Sequence, residues 1–145
     1  MDKKKYDKLV QEADAALQKS EILQPDGKIY KSYNGQAAAL GVSIAMSGLL
    51  PTLAIYYQDY DANNKETAYR RCVLNIIAKM VMHDNNKKGK DLFEKALRLS
   101  NSKEANEVKE LSRLKADIID CSVALKQVIR TYTLIDEKEK KKKGE

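Results

Sequence analysis

Tryptophan is absent from this 145-residue chain, phenylalanine and histidine occur once each, and cysteine and proline twice each. Each shortage excludes something. His83 is the only histidine and there is no C-x-x-C pair, so neither a His-based triad nor a zinc site has the ligands it needs. Cys72 and Cys121 stand apart at helical core positions and read as buried, reduced thiols of a cytoplasmic protein. No glycine-rich phosphate loop exists: Gly89–Lys90 lacks the upstream glycine and the following Ser or Thr. The N-terminal MDKKKYDKLV has no apolar core of the kind a signal peptide carries, which again points to the cytoplasm. With two prolines and six glycines, long periodic segments run uninterrupted, and none of them alternates with a period of two. The fold class this implies is all-α, a compact bundle of five to six helices with one long C-terminal helix.

Hydrophobic residues make up 43% and charged residues 33%, enough for one domain with a real core. The expected domain covers residues 1–136. Residues 137–145 continue the charge run DEKEKKKKGE and read as a disordered tail with nothing to bury.

The least charged stretch lies in the middle. Between Tyr33 and Gln58 the only ionisable groups are tyrosines. Ser47, Gly48 and Pro51 divide it into two expected helices, 36–46 and 49–57, packed back to back. Pro51 falls in the first turn of the second, where its missing N–H costs nothing. Gly35, Ala38, Gly41, Ala45 and Gly48 are small enough to let other helices approach closely. The apolar run 37–57 is 21 residues, the length of a membrane span. Its Ala, Gly, Ser and Thr gain little from lipid, however, and a bundle needs this stretch as its centre.

On either side the 3.6-residue period dominates. Residues 4–23 read as a first helix with Tyr6, Leu9, Val10, Ala13 and Leu17 on one face. Pro25, Asp26 and Gly27 make a turn, and 28–34 an irregular lead. Asn63 or Asn64 would cap a helix running to about His83, with Tyr69, Cys72, Val73, Ile76, Ile77, Met80 and Val81 inward and a polar stripe of Arg71, Asn75 and Lys79 opposite. The loop DNNKKGK follows, and Asp91 with Glu94 forms a capping box for a short helix. In the last helix Leu111, Leu114, Ile118, Cys121, Leu125, Val128, Tyr132 and Ile135 step by three and four. That seam implies about 31 helical residues, roughly 46 Å.

The central stretch resembles one family. Ser32, Tyr33, Gly35, Gln36, Ala37, Ile44, Ser47, Gly48, Leu49, Leu53, Ala54 and Tyr57 follow the order and spacing of the small helical subunit of the type III-B CRISPR effector, the Cmr RNA-targeting complex. The likeness covers residues 30–60 well and the first and last helices more loosely. It implies a non-catalytic subunit stacking in several copies beside the guide-holding backbone and lining the groove for target RNA. Its implied partners are other Cmr subunits, copies of itself and target RNA with guide RNA nearby, without cofactor, metal, membrane or small-molecule substrate.

The residues themselves offer no catalytic set, and they do offer cations. Net charge is +6, and residues 65–104 hold ten basic against five acidic side chains. Arg70, Arg71, Lys79, Lys87, Lys88 and Lys90 are the candidate RNA contacts, acting on phosphates whatever the base sequence. Tyr30, Tyr33, Tyr56, Tyr57 and Tyr60 are candidates either for stacking on bases or for packing the rim of the core. The alternative to RNA binding is a helical protein–protein adaptor whose lysines only solubilise it.

Overall fold

The computed structural model describes residues 2–58 and 65–136. In chain order the elements are α1 (Lys3–Gln18), β1 (Lys28–Tyr30), α2 (Lys31–Ser47), α3 (Leu49–Tyr57), α4 (Lys65–Met82), α5 (Gly89–Ser100), α6 (Ala105–Ile129) and β2 (Thr133–Ile135). Helix α4 is the hub and packs against α1, α2, α3, α5 and α6, while α6 lies along α1 and α2. The face of α4 chosen by periodicity is the buried one: Val73, Ile76, Ile77 and Met80 meet Leu17, Leu40, Leu53, Leu92, Ile118 and Leu125 in one core. Each such aliphatic side chain contributes about 1.5–3 kcal/mol by leaving water.

Helix α1 stops at Gln18, short of the expected residue 23, because Ser20 competes with the helix for its backbone. The Ser20 hydroxyl donates to the Leu17 carbonyl at 2.7 Å and accepts from the Ile22 amide at 3.2 Å. Gly27 takes φ +80° in the expected turn, its amide bonded to the Gln24 carbonyl at 2.9 Å. The lead is not irregular throughout. Lys28–Tyr30 pairs in parallel with Thr133–Ile135, Ile29 opposite Leu134, and Ile29 is fully buried. Three residues per strand are too few to show a period. The same pairing ends the heptad seam early. Helix α6 runs 25 residues, and after it the Thr131 hydroxyl takes the Val128 carbonyl at 2.7 Å. Tyr132 turns off to donate to Asp14 at 2.8 Å. Leu114, Ile118, Cys121, Leu125 and Val128 are buried as spaced, but Tyr132 and Ile135 sit in a turn and a strand.

In the central stretch α3 has the expected bounds, and Gly48, at φ +94°, makes the break before it. Helix α2 begins at Lys31, five residues before its expected start. The pair is not buried on all sides. Tyr33, Ala37, Leu40 and Ile44 form one inward face, whereas Val42 and Met46 are 60% and 82% exposed. Ala45 is exposed as well, and a Cβ on Gly35 would meet nothing within 4 Å, so neither marks a close approach. Gly41 does, with Ser122 Oγ 3.3 Å from where its Cβ would stand. Among the described residues no helix is long and apolar enough to cross a membrane.

Helix α5 starts at Gly89 rather than Asp91. Asp91 is its third residue and its carboxylate reaches back to the Lys88 amide at 2.9 Å, the role expected of Glu94 one turn later. Ser102 accepts from the Glu104 amide ahead of α6. The expected caps Asn63 and Asn64, and the 137–145 tail, lie outside the described residues.

Candidate nucleic-acid interface

The six candidate cations come from α4, the loop behind it and the first turn of α5, and the structure divides them. Arg70 is half-buried at the junction of α2, α3 and α4. Its Nε donates to the Gln36 side chain at 3.3 Å, and the Gln36 backbone carbonyl accepts from the Tyr56 hydroxyl at 2.7 Å. Burial pushes the Tyr56 phenol up to about 12, against the opposing charge of Arg70. Arg71 lies 5.0 Å from the centre of the Tyr57 ring, which itself stacks on Phe93 at 5.7 Å. Both arginines tie α4 to neighbouring elements. Lys90 faces Glu94 at 4.0 Å across one exposed helical turn, a pair worth little in water.

Lys79, Lys87 and Lys88 differ: among the described residues no carboxylate lies within 4 Å of their side-chain ammonium groups, although the Lys88 backbone amide donates to Asp91. Lys79 and Lys88 line one cleft of about 290 Å³ together with Lys19, Glu21, Cys72 and Asn75. A second cleft, about 300 Å³, shares Lys19 and Lys79 and continues to Glu12, His83 and Asn85. The two clefts adjoin at Lys19 and Lys79, along the seam between the end of α1 and α4. Asn75 builds its far wall. Its side-chain oxygen accepts from the Gly89 amide at 2.7 Å, which fixes the start of α5, and with it Lys88, beside α4. Arg71, Asn75 and Lys79 of the polar stripe are each half-buried, and the first two are held by the Tyr57 ring and the Gly89 amide.

Lys19 escaped the sequence reading. It caps the C-terminal end of α1 and is also without an acidic partner among the described residues. Only knowledge of where α1 ends and meets α4 would have found it.

No group in the groove is primed for chemistry. The Cys72 thiol donates to Glu21 at 2.9 Å, and burial, reinforced by that bond, pushes it up to about 12. Burial holds Cys121 at about 12 too. Such thiols stay protonated and poorly nucleophilic at neutral pH. His83 is exposed at the end of α4 with φ +52°. Among the described residues no three His, Cys, Asp or Glu side chains are grouped to hold a metal ion. Asp117 and Asp120 instead share Lys5, at 3.6 and 3.9 Å. The tyrosines pack rather than offer bare rings: Tyr33 is buried edge-on to Tyr69 at 4.8 Å, Tyr56 is buried, and Tyr57 is taken by Arg71 and Phe93. Tyr30 is half-buried in β1, and Tyr60 lies outside the described residues.

A family model described as CRISPR-associated protein (Cas_Cmr5) matches residues 2–130. No curated protein and no solved structure matches the chain.

Proposed function

The chain belongs to the Cas_Cmr5 family of CRISPR-associated proteins, and from that premise we propose that it is a non-catalytic structural subunit of a type III-B RNA-targeting ribonucleoprotein. It stacks along the complex among other Cmr subunits and copies of itself, and lines the target-RNA groove through a basic surface. The observation that carries the RNA contact is the set of lysines whose ammonium groups meet no carboxylate among the described residues, Lys79, Lys87 and Lys88, joined by Lys19. A cation already neutralised by a carboxylate gains less from a phosphate than one that meets only water. Lysines act as flexible point charges on any phosphate, which suits binding a target whose sequence is read by the guide. The half-buried, engaged tyrosines leave little means of reading bases.

The test uses fluorescence anisotropy of the isolated protein with single-stranded RNA at several salt concentrations. Weak, sequence-independent binding without cleavage is expected. A Lys79→Glu, Lys87→Glu, Lys88→Glu variant should keep its circular dichroism and lose that binding. Arg71 is left alone because it packs on Tyr57.

The adaptor reading has one observation in its favour. Val42, Met46 and Ile55 are large, apolar and exposed on α2 and α3, and Val42 borders a cleft of about 290 Å³ walled by Ala38, Gly41, Ile119 and Val123. A subunit that touches both RNA and protein needs such a face as well, so this observation fits either role.

A further inference from the structure

Resting on the RNA-binding reading above, we propose that the phosphate track is the groove between the end of α1 and α4, that Lys19, Lys79 and Lys88 are its cations, and that it takes the backbone of a single strand in preference to a duplex. Arg70 and Arg71, the most conspicuous cations of the basic stretch, hold the bundle together and lie off the track.

Three features point this way. The cations stand on separate elements: Lys19 at the end of α1, Lys79 on α4, and Lys88 at the cap of α5. Lys19 and Lys79 border both clefts, so the two adjoin and together run from Lys88 to His83 and Asn85. None of the three ammonium groups has a carboxylate within 4 Å among the described residues. The groove does contain acids. Glu21 accepts the Cys72 thiol in the first cleft, and Glu12 lines the second. Three lysines against two glutamates leave the track net positive. Ile22 and Ile76, both 1% exposed, lie beneath the first cleft, so charges there are screened less than on a flat surface.

Geometry sets the preference for a single strand. Cations on facing walls reach one sugar–phosphate chain from both sides. A duplex presents its phosphates on a convex surface and meets one wall at a time. The arginines are excluded by what already holds them: Gln36 for Arg70, the Tyr57 ring for Arg71.

The experiment compares Lys19→Gln, Lys79→Gln, Lys88→Gln with Arg70→Gln, Arg71→Gln. Glutamine keeps most of the aliphatic stem and removes the charge. Anisotropy is read against salt for single-stranded RNA, duplex RNA and a polyglutamate peptide, with thermal melts alongside. The lysine variant should melt like wild type, and its slope of log affinity against log salt should shrink by about 2, or about 0.7 for each lost contact. The arginine variant should melt lower and keep its slope, and duplex affinity should be unchanged by either. A slope lost in the folded arginine variant and kept in the lysine variant overturns the groove while leaving RNA binding intact. An arginine variant that does not fold leaves the lysine variant to decide alone. Wild-type protein that binds polyglutamate and not RNA overturns the RNA-binding reading and the groove together.

Discussion

Gly89→Ala is the sharpest test of how α5 is held, because the crowding at that residue is local. A Cβ there would lie 2.7 Å from Leu74 Cδ2, 2.9 Å from Leu74 Cγ and 3.3 Å from Asn75 Oδ1. Leu74 is fully buried and cannot swing into solvent. Either it leaves its rotamer or the start of α5 moves off α4. Overpacking of this kind costs about 1–3 kcal/mol. Moving α5 also stretches the 2.7 Å bond from the Gly89 amide to Asn75, forfeiting up to about 1 kcal/mol. Against this, alanine restricts the unfolded chain and returns about 0.4–1 kcal/mol. The balance is a loss of about 2 kcal/mol, or roughly 8 °C in Tm at about 4 °C per kcal/mol for a chain of this size. In urea the midpoint should fall with its slope unchanged. Gly35→Ala is the control: it lies inside α2, a Cβ there meets nothing, and it should stabilise by up to about 1 kcal/mol. Gly89→Ala as stable as wild type, or equal losses at the two glycines, would mean that α5 is not held against Leu74 in this way.

Ile76→Asp and Leu125→Asp place a charge at sites 1% and 0% exposed and should abolish the cooperative thermal transition. Gly41→Leu drives a side chain toward Ser122 and should cost about 1–3 kcal/mol in a denaturant melt, while Ala45→Leu, on the exposed face of α2, should cost close to nothing. The Tyr56 phenol is raised by burial from 10 to about 12 in the folded state. Its contribution is therefore complete below pH 10 and is lost as pH rises from 10 toward 12. Tyr56→Phe should lose about 1 kcal/mol at neutral pH, with the Gln36 carbonyl left without its partner, and should show a shallower alkaline fall than wild type. Comparing the two melting curves cancels the similar alkaline contribution of Cys72 and Cys121.

What the sequence showed and what it hid follow from the range over which each signal acts. Periodicity fixed the faces of α4 and α6, since burial of Ile76, Ile77, Ile118 and Leu125 repeats over many turns. It failed at ends, where one side chain decides: the Ser20 hydroxyl cut α1 short, and Thr131 and Tyr132 closed α6 before the seam ran out. The strands were invisible at three residues each, made by pairing residues about a hundred positions apart. For the proposed site, charge content pointed to α4 and the loop behind it and could not tell cations engaged by neighbouring side chains from those without such contacts. Arg70 and Arg71 look the same as Lys79 in a composition count. Gln36 and Tyr57, contacts brought in by α2 and α3, set them apart. Lys19 needed the packing of α1 on α4 and so could not be read at all.

On the proposed function this subunit holds RNA and does no chemistry on it. The effector complex reconstituted with and without the protein tests this most directly. Target RNA affinity is measured by equilibrium binding, and cleavage of saturating, pre-bound target is followed in a single turnover. Target binding should weaken without the subunit, partly reproduced by the Lys19, Lys79 and Lys88 glutamine variant, with the single-turnover rate unchanged. Loss of the cleavage rate with target affinity intact would contradict that function.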